Sequence, residues 1–64
     1  MLGYEEIKKG CRAVARLVRG GDLSEADALV AWILNNGASV HDVRSNLDAD
    51  ALRTLGTWRK GNEG

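Results

Sequence analysis

Apolar residues recur at steps of three and four along most of this chain, and the resulting stripes predict four helices. Short polar segments separate the stripes, and the chain contains no proline that would interrupt a helix. The spacing predicts a first helix over residues 4–19, which ends at the glycine pair of residues 20–21. We therefore expect an all-α fold, a small helical domain in which one longer N-terminal helix packs on three shorter ones.

The first helix carries an apolar stripe whose members recur at alternating steps of three and four residues. These members are Tyr4, Ile7, Cys11, Val14 and Val18. A chain of this size buries only about 60% of its unfolded surface, so hiding the stripe against a second copy would add stability. The stripe is therefore predicted to be a self-association seam, and the protein to be a homodimer.

Two serines carry the signals of a helix start. Ser24 precedes Asp27 by three residues, and Ser39 precedes Asp42 by three. In this capping box the serine hydroxyl accepts a hydrogen bond from the third helical N–H, and the acidic side chain accepts one from the serine N–H. The second helix is accordingly predicted to begin at Ser24 and the third at Ser39.

The last helix is predicted to be capped by Asp48 or Asp50 and to run to Lys60, with Gly61 closing it. The residues after Gly61 should fray. Eleven apolar positions in the last three helices are expected to face the core: Ala26, Leu29, Val30, Ile33, Leu34, Val40, Val43, Leu47, Ala51, Leu52 and Leu55.

Composition narrows the class of protein. The 64 residues fit one domain, and 44% hydrophobic with 28% charged residues is ordinary for a globular chain. The longest apolar run has seven residues, against roughly 20 for a membrane span. Lys8 and Lys9 interrupt the segment in which a signal peptide would be apolar. We expect a single domain over residues 1–64, located in the cytoplasm and without contact with a membrane.

The residue types of catalytic and metal sites are scarce. One histidine, His41, and one cysteine, Cys11, cannot supply the four nitrogen or sulfur ligands of a zinc site. Ser39, His41 and Asp42 lie within one helical turn, where they cannot aim at one another as a catalytic triad. Both glycine-rich phosphate-loop patterns are missing. The expectation is a non-enzymatic protein without cofactor, metal or small-molecule substrate.

Charge is uneven although it sums to zero. Residues 1–21 carry a net charge of +3, residues 22–50 carry −5, and residues 51–64 carry +2. Four basic residues of the first helix form a stripe opposite the apolar one, called the basic stripe below: Lys8, Arg12, Arg16 and Arg19. Such a stripe is either a binding surface for phosphates or an acidic partner, or simply the solvated face of an amphipathic helix.

Residues 39–60 can also be drawn as a helix-turn-helix with the turn at residues 48–49. The sequence LGTWRKGN at residues 55–62 resembles the end of the recognition region in repressors of the Cro type. The small residue usual in the first helix of these repressors and the glycine usual in their turn are absent. The resemblance implies that a DNA groove would be faced by Arg53, Thr54, Thr57, Arg59 and Lys60.

Two tryptophans, Trp32 and Trp58, are each either core residues or anchors for a partner. The sequence thus leaves two functions open. The first is a small regulatory or adaptor protein, of the kind that phages and plasmids use as accessory regulators, that binds a protein partner. The alternative is a DNA-binding transcriptional regulator. A net charge of zero favours the first, because DNA-binding domains are usually basic.

Overall fold

A computed structural model describes residues 1–62 of the chain and contains four helices in that range. They are α1 (Tyr4–Arg19), α2 (Leu23–Asn35), α3 (Val40–Asn46) and α4 (Ala49–Asn62). The prediction of an all-α fold is confirmed, and so is the order of one longer N-terminal helix followed by three shorter ones. α1 packs against all three of the other helices, most extensively against α2.

Gly21 and Gly37 end α1 and α2 with the same kind of turn. Both have positive φ angles, +83° and +115°. In each turn the N–H that follows the glycine donates to the carbonyl five residues earlier, at N···O distances of 2.9 and 3.3 Å. This pattern satisfies carbonyls that the last helical turn would leave without a donor, and glycine adopts the required angles without steric cost.

The two predicted capping boxes have different outcomes. Ser39 forms the complete box, because its Oγ accepts the Asp42 N–H at 3.0 Å and an Asp42 Oδ accepts the Ser39 N–H at 3.3 Å. The prediction for Ser24 is wrong. α2 already begins at Leu23 with Asp22 at the N-cap position, since the turn that closes α1 runs directly into it and places Ser24 inside the first helical turn.

Replacing Ser39 by alanine should lower the free energy of unfolding by about 1 kcal/mol, because a backbone N–H at the start of α3 loses its acceptor. Ser24→Ala is the matched control. It should leave stability within about 0.5 kcal/mol of the parent, because Ser24 is exposed and does not cap α2. Thermal melts of both variants test this, and equal losses in the two would contradict the assignment of the caps.

The turn between α3 and α4 consists of Leu47 and Asp48, one residue earlier than predicted. Asp48 caps α4, as one of the two predicted alternatives, by accepting the Ala51 N–H at 2.7 Å. Gly61 does not close α4: its φ is not positive, so the helix continues through it to Asn62. Of the tail after Gly61 that was predicted to fray, Asn62 is the last residue of α4, and residues 63–64 lie outside the described residues.

The core is a single cluster to which all four helices contribute. Its most completely buried large side chains are Ile33, Val14 and Cys11. Gly10 lies where α1 approaches α2, and a Cβ added there would stand 2.7 Å from Ile33 Cδ1. Glycine costs a helix about 1 kcal/mol relative to alanine, and here that cost is offset by close packing of the two helices.

The interpretation of the apolar stripe on α1 as a self-association seam is corrected by this core. Ile7, Cys11 and Val14 are buried within a single chain, because α2, α3 and α4 cover them, so a second copy cannot reach them. Tyr4 is exposed and Val18 is half-buried. Burial also raises the pKa of the Cys11 thiol, because desolvation disfavours the thiolate. A homodimer formed through some other surface stays a prediction.

Candidate functional site

An open groove lies between α2, α3 and α4, and no residue of α1 lines it. It has a volume of about 420 Å³. Its walls are mostly aliphatic and come from pairs of residues on the three helices: Val30 and Leu34, Val40 and Val43, Leu52 and Leu55. All six were predicted from their apolar spacing to face the core, but Leu34 and Leu52 are only half-buried and Val40 is exposed.

Val40 shows most clearly that the groove is open. It was predicted to face the core, but 60% of its surface is exposed. Val40 is the first residue of α3, and at this end of the helix α2 and α4 leave the groove uncovered instead of closing over it. The side chain therefore points along the predicted stripe without being covered by a neighbouring helix.

Among residues 1–62, two arginines are the only charged residues that line the groove. Arg59 donates from its Nε to the Asp27 carboxylate on α2, in an ion pair that joins α4 to α2. Arg44 is exposed on α3 and has no ion-pair partner among residues 1–62. No acidic residue among residues 1–62 lines the groove, and Asp27 neutralises Arg59, so Arg44 is the unpaired positive charge at its edge. Arg44 was not among the candidates from sequence, because it stands alone there among acidic neighbours.

Gly56 is a second residue of this groove that the sequence patterns did not single out. It lies within α4 and lines the groove. A Cβ added there would meet no atom within 4 Å outside its immediate neighbours. The one available signal was a glycine inside a helical pattern, where it lowers helix stability without an evident local reason.

The basic stripe on α1 is divided by the structure. Lys8 is half-buried, pairs with Glu5 at 3.6 Å and lies with its Nζ 5.4 Å from the centre of the Tyr4 ring. Arg19 pairs with Asp48 in the α3–α4 turn, at 3.6 Å. The two ends of the stripe are thus engaged within the chain.

The middle of the stripe, Arg12 and Arg16, borders a cleft of about 320 Å³ between α1 and the end of α3. Arg19, Asn46 and Asp48 also line this cleft, which we call the basic cleft. Arg12 and Arg16 are both exposed, and neither has an ion-pair partner among residues 1–62. They are the members of the predicted stripe that remain available for a ligand.

α4 exposes Arg53, Thr57 and Lys60, which follow one another at steps of four and three residues and so share one face. Arg53 pairs with Asp50 at 3.7 Å, one turn earlier on the same helix. Arg59, predicted to face a DNA groove with them, is instead held by Asp27. The face that would read DNA therefore carries two basic residues, and an acid stands at its start.

The two tryptophans differ in position. Trp32 on α2 is 53% exposed, so it is not a core residue and its indole is available to a partner. Trp58 on α4 is half-buried and lies in a shallow cleft with Leu23 and Thr54.

The side chains near α3 that could take part in catalysis or metal binding are engaged in hydrogen bonds within this helix and its cap. Ser39 and Asp42 bond each other in the helix cap. Ser45 donates its hydroxyl proton to the His41 carbonyl at 2.8 Å, and its Oγ lies 3.4 Å from His41 Nε2. No group of three or more metal-binding side chains occurs among residues 1–62.

The described part of the chain contains no helix that is both long enough and apolar enough to cross a membrane.

Four features of residues 1–62 are exposed to a possible ligand: the groove, the basic cleft, the exposed face of α4 and the indole of Trp32. No protein-family model matches this chain, and neither does any curated protein or solved structure.

Proposed function

We propose that this protein is a small, non-enzymatic regulatory or adaptor protein that binds another protein through the groove between α2, α3 and α4. The observation that carries the proposal is the open aliphatic groove of about 420 Å³ with Val40 60% exposed at its end. An open groove with aliphatic walls can take the apolar side chains of a partner segment, as the grooves that bind amphipathic helices do.

The charge at the edge of the groove indicates what kind of partner fits. Arg44 lines the groove and has no ion-pair partner among residues 1–62, and no acidic residue in that range lines the groove, so an apolar segment that carries a carboxylate near Arg44 complements it. A second copy bound groove to groove would cover Arg44 of both copies without supplying a carboxylate from the groove, because a two-fold interface uses the same surface on both sides and no acidic residue of residues 1–62 lines it. A different protein with an apolar and acidic segment is therefore the better partner.

Replacing Gly56 by leucine should abolish binding of that partner while the fold is kept. The added side chain enters the groove, where open space receives it, and leucine also favours the helix more than glycine does. Gly61→Leu is the matched control, because Gly61 lies on the same helix, has equally open surroundings and does not line the groove.

The experiment compares affinity capture from a lysate of the natural host by the parent and the two variants, with circular dichroism to check the fold. We expect at least one protein to be retained by the parent and by Gly61→Leu but lost with Gly56→Leu. Partners that all three proteins retain equally, or a parent that retains none, would contradict the proposal.

A DNA-binding regulator is the second candidate, and the exposed face of α4 with Arg53, Thr57 and Lys60 favours it. Two observations weigh against it. Asp50 sits one turn before Arg53 and pairs with it, and Arg59 is held by Asp27. Two basic residues beside an acid provide few phosphate contacts, and such contacts supply most of the affinity of DNA-binding proteins. Binding of a duplex oligonucleotide, measured in the experiment below, separates the two candidates.

A further inference from the structure

We propose that the basic cleft between α1 and the end of α3 is a second binding site, which takes an acidic segment of a partner protein. In this site Arg12 and Arg16 each pair with one carboxylate of the segment. The basic cleft shares no residue with the groove, so it stands on separate observations. With both sites in use, the protein would hold two protein segments at once, as an adaptor does.

The first observation is that Arg12 and Arg16 repel each other without compensation. They lie four residues apart on α1, so their side chains leave the same face about 6 Å from each other. Three other arginines of the chain, Arg19, Arg53 and Arg59, each have a carboxylate partner. The chain has nine acidic residues, yet none among residues 1–62 pairs with Arg12 or Arg16. The negative charge that complements these two arginines at the cleft would therefore come from a partner.

The second observation is that the unpaired positive charge at the basic cleft extends over only one turn of α1. On one side Arg19 is neutralised by Asp48, and Asp48 itself lines the cleft. On the other side Lys8 is paired with Glu5. Lys9 is also exposed and unpaired on α1 but does not line the cleft, so among residues 1–62 the unpaired positive charges that line it are the guanidinium groups of Arg12 and Arg16, one helical turn apart.

This charge pattern matches two carboxylates with the same separation. Acidic residues four apart on a helix or two apart on an extended strand provide it. The guanidinium fork can bind each carboxylate with two hydrogen bonds. A nucleic acid duplex carries a charge about every 1.7 Å along its axis, so it would also bring phosphates against Asp48.

The probe is an alanine-based helical peptide with glutamates four residues apart, and its control is the same peptide with glutamines. Binding is measured by NMR titration of the full chain at low and at moderate salt. Arg12→Gln combined with Arg16→Gln should weaken binding of the glutamate peptide about tenfold, because two charged contacts are lost. Arg53→Gln combined with Lys60→Gln removes the same charge from α4 and should leave the affinity within about twofold.

Circular dichroism shows whether both double variants fold, which is expected since all four side chains are exposed. Selective loss of binding in the Arg12 and Arg16 variant, with the parent preferring glutamate to glutamine, supports the site. Equal weakening in both double variants would mean that only net charge matters and would overturn it. So would a parent that does not distinguish the two peptides. A duplex oligonucleotide that binds more tightly than the peptide would overturn it in favour of a nucleic-acid surface, and the variant that loses this binding identifies the face.

Discussion

Replacing Ile33 by alanine should lower the free energy of unfolding by about 2–5 kcal/mol, the largest effect expected of any single change in this chain. Ile33 has no exposed surface and packs against α1 where Gly10 allows close approach, so truncation leaves a cavity between the two helices. Total stability of a chain of this size is on the order of 3–10 kcal/mol. The variant should therefore lose much or all of its cooperative unfolding transition.

Urea unfolding followed by far-UV circular dichroism measures this loss. Trp32→Ala is the matched control, because it lies on the same helix and removes a larger side chain that is 53% exposed. It should cost about 1–2 kcal/mol, less than Ile33→Ala, because about half of the Trp32 surface stays in water and its truncation leaves no enclosed cavity. A loss as large for Trp32→Ala as for Ile33→Ala would show that the two residues share the core, contrary to the structure.

Replacing Gly37 by alanine should cost about 1–3 kcal/mol, whereas the same replacement at Gly56 should add up to about 1 kcal/mol of stability. Gly37 has a φ of +115°, which side chains with a Cβ rarely adopt, and the turn it forms joins α2 to α3. Gly56 has no positive φ and open surroundings, so alanine there only improves the helix.

Thermal midpoints of the two variants, measured side by side with the parent, test this prediction: the midpoint should fall for Gly37→Ala and rise for Gly56→Ala. Contact of the added Cβ with Met1 is not the cause of the expected loss at position 37, because Met1 is fully exposed and can move away. A variant lacking residue 1, carrying the same Gly37→Ala change, should lose as much stability as the full chain does. A Gly37→Ala variant that melts with the parent would mean that the turn relaxes to another conformation at no cost.

Local signals account for what could be predicted. The bounds of α1 agree with the prediction over residues 4–19, because the apolar period and the glycine pair both act within a few residues. The Ser39 box depends only on a residue three positions away. Ser24 carries the same signal and fails, because the turn at Gly21 leads the chain directly into α2 and places Asp22, two residues before Ser24, at the N-cap. Where two local signals compete, the sequence pattern alone does not decide which one prevails.

The candidate sites were predictable only as lists of residues. Arg12 and Arg16 were identified together with Lys8 and Arg19, which look the same in the sequence. They differ because Asp48 comes within 3.6 Å of Arg19 and no carboxylate of residues 1–62 pairs with Arg12 or Arg16. Gly56, central to the proposed groove, was not identified at all, because no residue near it in the sequence indicates open space.

Periodicity and capping are enough to specify the four helices and the apolar face of each, since they depend on interactions within one or two turns. The tertiary structure alone decided which face is covered by which helix. It placed Ile7, Cys11 and Val14 under the other helices rather than at a dimer seam, and it left Val40 open. It also joined Arg59 to Asp27, 32 residues away. Periodicity gives a direction around each helix axis, but the packing of the helices in space decides what lies in that direction.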